Sequence, residues 1–547
     1  MISISRIAEN LGVDQSQIYP YGKWKAKIGL DAVYNDDGKR GKLVLVTAVT
    51  PTPSGEGKTV TAIGVSMALN LLGRKAVVCV RQPSLGPVFG VKGGAAGGGK
   101  STVEPMQEIN LRLTGDIDAV GAAHNLLAAM VDNHIFQGNE LRFDIHSVNL
   151  RRVVDMNDRA LRKIVVGLGG KSDGIPREAG FVITAASEVM AVLCLSRGYS
   201  DLKRRLGRIV VGYTEENLPI TADDLKATGA MAAILKEAMQ PNLVQTAEGT
   251  PALIHGGPFG NIALGTCSLS SIIFGLNHSE YTIVEAGFGS DLGGEKFFDI
   301  VSRVGGFNID CTVIVASIRA LEYHGGLKFE KSESRPSDNL RMAALHKGLE
   351  NLTKHIENVQ MFGVQPVICI NKFPSDTEDE VGVVETFCRT LGVDCSLSTT
   401  FENGGEGCKD LAKKVIDASE KEFKNVPLYS NDESIESKIG KIVTKIYGGD
   451  SVEFEPEAKK SITLIQKLGF SSLPICMAKT PLSLSDDPKK IGRPRGFTCT
   501  VKKLEIAAGA GYVIAHLGDI VSMPGLPERP AAENIQLDDS GNISGLF

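Results

Sequence analysis

The fold is indicated most clearly by Leu43-Val-Leu-Val-Thr-Ala-Val-Thr-Pro-Thr-Pro-Ser-Gly-Glu-Gly-Lys-Thr59. It begins with an almost uninterrupted apolar run, which is typical of a strand buried on both faces of a sheet. A loop rich in Pro and Gly follows, and a helical pattern then covers residues 59–72. We therefore predict a strand–loop–helix unit and refer to residues 50–59 as the 50–59 loop.

Similar Val- and Ile-rich runs recur along the chain, separated by helical patterns such as those at 223–239 and 339–362. We predict strands at 76–80, 163–168, 208–212, 281–285, 311–316 and 366–371. Because strands alternate with helices, the predicted fold class is α/β, with a mostly parallel sheet flanked by helices. Lys, Glu and Ser become more frequent in the later part of the chain. We expect a large P-loop-containing domain at 1–345 and two smaller α/β domains at 346–455 and 456–547.

The 50–59 loop carries the residue types that bind the phosphates of a nucleotide. Its two glycines let backbone N–H groups turn toward an anion, the Lys58 ammonium supplies charge, and the Thr59 hydroxyl is a ligand for Mg²⁺. Thr52 stands where the standard phosphate loop has its first glycine, and the alternative is a structural turn with a solvated lysine. We predict that ATP or GTP is bound by Thr52, Pro53, Ser54, Gly55, Glu56, Gly57, Lys58 and Thr59.

A second Gly-rich segment, 85–100, is poorly suited to a regular element, because each glycine loses backbone entropy on ordering. Close approach to a ligand explains it, with Arg81 and Lys92 available for a carboxylate or phosphate. A flexible surface loop is the alternative. The Gly-rich segment 285–295 follows a predicted strand and is a candidate wall of the same site. We predict a substrate loop made of Lys92, Gly93, Gly94, Gly97, Gly98 and Lys100.

Composition excludes several classes of protein. The chain has 547 residues, 59 Lys and Arg against 64 Asp and Glu, and 6% aromatic residues, a balance that argues against nucleic-acid binding. Its longest apolar stretch, 179–195, is interrupted by Glu188, so no membrane span is expected, and the N-terminus lacks a secretory signal pattern. The ten cysteines contain no C-x-x-C pair, which favours a reducing compartment and no structural zinc site. We expect a cytoplasmic protein.

Three titratable residues fall within one predicted helix at 119–135: His124, Asp132 and His134. The two histidines do not have the i, i+4 spacing of a helical zinc pair. Core or capping roles are the more common outcome for such histidines.

Several longer blocks carry a family resemblance. They include the 50–59 loop, Pro83-Ser-Leu-Gly-Pro-Val-Phe-Gly90, Lys92-Gly-Gly-Ala-Ala-Gly-Gly-Gly99, Ala123-His-Asn-Leu-Leu-Ala-Ala-Met130 and Met523-Pro-Gly-Leu-Pro527. With these blocks the whole chain resembles the formate–tetrahydrofolate ligases. The resemblance implies a homotetramer that uses ATP, Mg²⁺ and a monovalent cation, K⁺ or NH₄⁺. It also implies two steps, in which ATP phosphorylates formate and the folate amine then attacks formyl phosphate.

The resemblance also assigns residues. It implies that Lys58 and Thr59 serve phosphate and Mg²⁺ and that Arg81 holds formate and formyl phosphate. It places the catalytic candidates Asp116 and His124 in blocks near the site. The stacking strip for an aromatic ring system, of folate or adenine, comprises Phe373 and Pro374, with Phe401 where the family pattern has Trp.

Other positions also depart from the family pattern: Gln82, Lys100, Arg112, Val182, Leu264, Cys267 and Leu482. Several of them shift the expected charge of the site toward positive. Two further functions therefore stay open, namely an acyl-phosphate ligase for another acid or acceptor and a non-catalytic nucleotide- or folate-binding paralogue. A GTPase switch is disfavoured, because Asn371-Lys-Phe-Pro374 lacks the Asp of the guanine-binding signature.

Overall fold

The computed structural model describes residues 1–35, 38, 40–53, 55–90, 96–327 and 336–546. Four predicted site residues lie outside the described residues: Ser54, Lys92, Gly93 and Gly94. The fold is α/β, as predicted, and is built on one large sheet flanked by helices. Within the described ranges, no helix combines the length and apolar character needed to span a bilayer.

Seven strands form the parallel part of this sheet. In chain order they are β1 (Lys42–Ala48), β2 (Ala76–Val80), β3 (Pro251–Ile254), β4 (Tyr281–Glu285), β5 (Cys311–Ala316), β6 (Pro366–Asn371) and β7 (Asp394–Ser398). Their order across the sheet is β3-β2-β4-β1-β5-β6-β7. Because all seven run the same way, their carboxyl ends meet along a single edge.

Antiparallel strands extend the sheet beyond β3. Asn242–Thr246 pairs with β3, and the remaining strands on that side are Ile18–Pro20, Ala26–Ile28, Gly97–Gly98 and Ser101–Glu104. Both faces of the parallel part are covered. Leu43 and Leu45 of β1 pack into one apolar core, and Val44 and Val46 pack into the other. A strand buried on both sides needs the nearly continuous apolar run that the sequence shows.

Helices supply the two covering layers. The first layer includes Asp116–Phe136, Glu188–Leu195, Leu269–His278 and Asp338–Met361, and the second includes Lys58–Leu71 and Lys409–Ser419. The other helices are Ile4–Leu11, Leu30–Val33, Leu85–Phe89, Met106–Leu111, Tyr199–Gly207, Thr228–Ile234, Ser302–Gly305, Ile318–His324, Glu378–Thr390, Thr400–Asn403, Ile435–Lys441 and Pro456–Lys467. Wider π-helical turns are found at Ser290–Gly294, Phe297–Val301 and Ile442–Tyr447.

Three predicted elements differ from the structure. The runs at 163–168 and 208–212 do not join the central sheet. They form the short strands Ile164–Val166 and Val210–Tyr213, paired antiparallel with Arg177–Ala179 and Pro219–Thr221. The helix predicted at 223–239 is shortened to Thr228–Ile234. Lys226, with a φ of 57°, has a left-handed backbone that cannot continue a right-handed helix.

The later part of the chain contributes to two sheets. β6 and β7 extend the central sheet, so that sheet is continuous across residue 345, the end of the first predicted domain. A separate three-stranded sheet is formed by Ile475–Ala478, Tyr512–His516 and Lys503–Ala507, and Ser451–Phe454 pairs with Thr498–Val501. Smaller pairs join Arg152–Val154 to Phe181–Ile183 and Gln536–Leu537 to Ile543–Ser544. The division into three domains stays a prediction.

Candidate active site

Several predicted site residues, together with Glu285, lie along the carboxyl edge of the parallel strands. Arg81 follows β2, Glu285 ends β4, and the 50–59 loop follows β1. Phe373 and Phe401 follow β6 and β7, which pair in register at Asn371 and Ser398. Neighbouring strands are about 4.8 Å apart, so these groups follow one another across the edge in the order of their strands. Such an edge is where open α/β sheets bind ligands.

The 50–59 loop turns sharply into the helix Lys58–Leu71. Gly57, the residue before this helix, has a φ of 83°, which a residue with a side chain rarely adopts. A Cβ atom on Gly57 would lie 2.3 Å from Nδ2 of Asn371, and that amide donates a hydrogen bond of 3.0 Å to the carbonyl of Glu56. Glycine is therefore required here, because the end of β6 closes tightly on the loop.

Lys58 is held inside the loop. Its Nζ lies 3.6 Å from Oε2 of Glu56, and 13% of its side chain is exposed. The buried Glu56 carboxylate also accepts a hydrogen bond of 2.6 Å from the backbone N–H of Thr52. This arrangement differs from a solvated lysine, because the ammonium and its counter-charge belong to the same turn.

Glu285 connects the 50–59 loop to Arg81. Thr59 Oγ1 donates a hydrogen bond of 2.5 Å to Glu285 Oε2, and Arg81 Nη2 lies 3.4 Å from Glu285 Oε1. Arg81 Nη1 also donates to the carbonyl of Pro258 at 3.4 Å. A Cβ atom on Gly287 would lie 3.2 Å from the guanidinium, so that glycine makes room for Arg81. Sequence reasoning assigned no role to Glu285, although it begins the Gly-rich segment proposed as a site wall.

The start of the loop is anchored by buried polar groups. Thr50 Oγ1 lies 3.0 Å from Nε2 of His355 and accepts a hydrogen bond of 2.9 Å from Asn351, and His324 Nε2 donates to the Thr50 carbonyl at 2.8 Å. His355 Nδ1 is 2.7 Å from Oγ of Ser290. Burial lowers the pKa of His324 to about 4 and that of His355 to about 3, so both rings are neutral near pH 7. Sequence reasoning missed this anchor.

The described part of the predicted substrate loop lies against Phe401. Gly97–Gly98 pairs with Ser101–Glu104, and the backbone N–H of Lys100 donates to the carbonyl of Phe401 at 2.8 Å. A Cβ atom on Gly98 would lie 3.1 Å from the Phe401 ring. Phe401 is 54% exposed and Phe373 is 41% exposed, so both rings have a free face. Pro374, beside Phe373, is exposed as well.

Asp116 is committed to a buried network. Its carboxylate lies 2.6 Å from Nζ of Lys27 and accepts a hydrogen bond of 2.7 Å from Asn242. Asn242 also donates to the carbonyl of Ile254 at the end of β3, one strand away from the strand that precedes Arg81. Asp116 therefore lies close to the edge in the fold, but both of its carboxylate oxygens have partners.

His124 lies under the backbone that contacts the segment after Arg81. It is buried, and its Nε2 donates a hydrogen bond of 2.6 Å to the carbonyl of Arg151. Burial lowers its pKa to about 4. The strand that follows, Arg152–Val154, leads to Asp155, which accepts hydrogen bonds from Ser84 Oγ and the N–H of Leu85 at the start of the helix after Arg81. His124 is thus connected to the residues that follow Arg81 through hydrogen-bonded backbone.

The positions that depart from the family pattern are distributed over different environments. Leu264 and Cys267 pack into the apolar core. Arg112 is exposed and pairs with the exposed Asp118 at 2.8 Å. Gln82 is buried next to Arg81, and its Oε1 has no hydrogen-bond partner among the described residues. The remaining departures are Val182 in Phe181–Ile183, the exposed Lys100, and Leu482, 36% exposed.

In the part of the chain that the structure describes, no three His, Cys, Asp or Glu side chains are grouped to hold a metal ion. The edge instead brings Lys58, Arg81 and the N-terminus of the helix Lys58–Leu71 together with the carboxylates Glu56 and Glu285. The two cations and the helix N-terminus suit an anionic ligand. A family model described as formate–tetrahydrofolate ligase matches residues 1–547, the whole chain. The chain belongs to the formate–tetrahydrofolate ligase family.

Proposed function

We propose that this protein joins formate to tetrahydrofolate at the expense of ATP and makes 10-formyltetrahydrofolate through formyl phosphate. Family membership supports an ATP-dependent ligase of this kind. The observation that carries the proposal is the contact of one carboxylate, Glu285, with both Thr59 and Arg81. It brings a phosphate-binding turn and an arginine suited to a small carboxylate together at one sheet edge.

The first proposed step transfers a phosphoryl group. A formate oxygen attacks the γ-phosphorus of ATP, the bond to the bridging oxygen breaks, and ADP leaves. Lys58 and the N–H groups at the start of its helix offset charge on the phosphates. Arg81 orients the carboxylate with its planar pair of donors. Little covalent chemistry is required of the protein, since positioning and charge stabilisation provide most of the catalysis.

The second proposed step transfers the formyl group. The N10 amine of tetrahydrofolate attacks the formyl carbon, the bond between carbon and the phosphate oxygen breaks, and the amine loses a proton. Phosphate is a good leaving group, whereas the oxygen of formate that has not been phosphorylated is a poor one. We assign the exposed faces of Phe373, Pro374 and Phe401 to the aromatic ring system of folate or adenine, because such faces gain from stacking.

The residues fit Mg²⁺ at the 50–59 loop. The Thr59 hydroxyl has one proton, which is donated to Glu285, so its lone pairs are free for a cation. When bound, Mg²⁺ neutralises charge on the transferred phosphate. We include a monovalent cation, K⁺ or NH₄⁺, and a homotetramer because the family resemblance implies them. We include a cytoplasmic location because composition favours it.

One observation favours a second candidate, a ligase of the same type for a different carboxylic acid. Gln82 adjoins Arg81 and carries an unpartnered buried amide oxygen. A buried acceptor without a partner costs free energy unless a donor meets it. A hydroxyl or amine on a larger acid would supply that donor.

The test is a coupled assay with Mg-ATP, formate and tetrahydrofolate, followed by acidification and absorbance of methenyltetrahydrofolate. We expect signal that requires all three substrates, and a fall in kcat of about 10²–10³-fold for Lys58→Ala. Lys42→Ala is the matched control. Lys42 begins β1, the strand that leads into the 50–59 loop, but it lies at the opposite edge of the sheet and pairs with Asp310.

The possible results separate the candidates. ATP binding without formate-dependent product, together with ADP release on addition of another short hydroxy or amino acid, would establish the second candidate. Folate binding without turnover by any acid would identify a non-catalytic paralogue. Unchanged turnover in Lys58→Ala would contradict the assignment of the 50–59 loop.

A further inference from the structure

Glu285 occupies a special place in the strand order. It is the last residue of β4, and β4 lies between β2 and β1. The strand on one side leads to Arg81, and the strand on the other side leads to the 50–59 loop. Glu285 pairs in register with Val46 of β1, so its side chain emerges at the base of the loop.

The carboxylate is buried and has one partner on each oxygen. Its side chain is 7% exposed, Oε2 accepts the proton of Thr59 at 2.5 Å, and Oε1 lies 3.4 Å from Arg81. An acceptor that fixes the hydroxyl proton also fixes the direction of the hydroxyl lone pairs. The Thr59 oxygen is thereby presented as an oriented ligand at the N-terminus of its helix.

Glu56, the carboxylate within the 50–59 loop, has different partners from Glu285. Glu56 accepts a hydrogen bond from Thr52 on Oε1 and lies near Lys58 on Oε2. Mg²⁺ in nucleotide sites is held by one or two protein oxygens together with phosphates and water, so a full cage of acids is not needed. Glu285 is the carboxylate that contacts the proposed metal ligand.

We propose that Glu285 is the metal-orienting carboxylate of this protein. It acts on nucleotide-bound Mg²⁺ through the hydroxyl of Thr59, and its second oxygen sets the position of Arg81. The inference rests on the proposed nucleotide site and adds that a single carboxylate serves both the metal-nucleotide half and the acyl half of that site.

The test measures metal binding rather than turnover. Mn²⁺ replaces Mg²⁺, and its Kd is measured by electron paramagnetic resonance with ATP bound, for wild type and Glu285→Gln. We expect the Kd of Mn²⁺ to rise about 10–100-fold, the usual effect of losing a group that orients a metal ligand. ATP binding in EDTA should change less than about threefold, because the phosphates still have Lys58 and the helix N-terminus.

Two further variants keep the test decisive if Glu285→Gln does not fold. Thr59→Ser keeps the hydroxyl and should bind Mn²⁺ with wild-type affinity. Thr59→Val removes the hydroxyl and should lower the affinity for Mn²⁺ by the same factor of about 10–100. In the double variant of Glu285→Gln and Thr59→Val the two losses should not add, because the carboxylate acts through the hydroxyl. Asp310→Asn is the matched control, since Asp310 accepts from the N–H of Leu43 at the opposite edge.

Each contrary result has a distinct meaning. Wild-type Mn²⁺ affinity in Glu285→Gln overturns the inference and leaves the proposed function intact. Wild-type Mn²⁺ affinity in Thr59→Val overturns the inference together with the assignment of Thr59 to Mg²⁺. Additive losses overturn the route through Thr59. If wild-type protein binds neither ATP nor Mn-ATP, the proposed function itself fails, and the inference fails with it.

Discussion

Replacing Asp116 by Asn separates a structural role from a catalytic one. The pair of Lys27 and Asp116 is buried, with 1% and 4% of the two side chains exposed and 2.6 Å between their charged atoms. Lys27 also donates to the carbonyl of Gln240 at 2.9 Å. Burial lowers the pKa of Lys27, and the charge of Asp116 opposes that shift. The ammonium therefore depends on this carboxylate to remain charged inside the protein.

Asp116→Asn removes the counter-charge and leaves Lys27 buried. Breaking one side of a buried ion pair costs about 3–5 kcal/mol, so the free energy of unfolding should fall by that amount. The double variant with Lys27→Met should recover part of the loss, because no unpaired charge remains. Urea denaturation at pH 7.5 measures both effects. The kcat of folded Asp116→Asn should stay within about threefold of wild type, since both carboxylate oxygens already have protein partners.

Asp118→Asn is the control on the same helix. Its carboxylate is 48% exposed and pairs with Arg112, so its loss should change stability by less than about 1 kcal/mol. The structural role of Asp116 would be refuted if Asp116→Asn kept wild-type stability and lost a hundredfold or more in kcat. That result would support the catalytic role that the family resemblance implies.

Three further predictions concern the loop, the stacking strip and acid stability. Gly57→Ala should weaken ATP binding at least about tenfold by calorimetry, because its Cβ meets Asn371 at 2.3 Å and its φ is 83°; unchanged affinity would contradict the tight loop. Phe401→Ala should raise the KM for folate or ATP about tenfold, from loss of stacking, whereas the exposed Phe136→Ala should have no effect. Buried neutral histidines should make the protein less stable below pH 6.5, since the unfolded chain takes up protons that the folded chain excludes. The loss approaches about 1.4 kcal/mol per pH unit for each ring until its folded pKa is reached. Urea unfolding at pH 7.5, 6.0 and 5.0 tests this, and a flat profile would refute it for the four rings with a lowered pKa, His124, His255, His324 and His355.

Local sequence patterns were enough to predict the fold class and the main phosphate-binding candidate. The apolar run of β1 reads as a doubly buried strand because such a strand has no polar face, and β2, β4, β5 and β6 follow the same rule. The turn with Gly57 and Lys58 is equally local, since a left-handed glycine and the following helix are properties of adjacent residues. The runs at 163–168 and 208–212 also form strands, but their apolar pattern resembles that of the central strands and does not specify which sheet they join.

Which of the candidate groups contact one another depends on the packing of distant parts of the chain. Thr59 and Glu285 are 226 residues apart in sequence, and Arg81 and Glu285 are 204 apart. Their contacts depend on β4 lying between β2 and β1, and strand order is not encoded in local periodicity. The buried partner of Asp116 is likewise distant in sequence, because Lys27 is 89 residues away. A side chain's charge and reach follow from its residue type, but its partner follows from how distant strands pack.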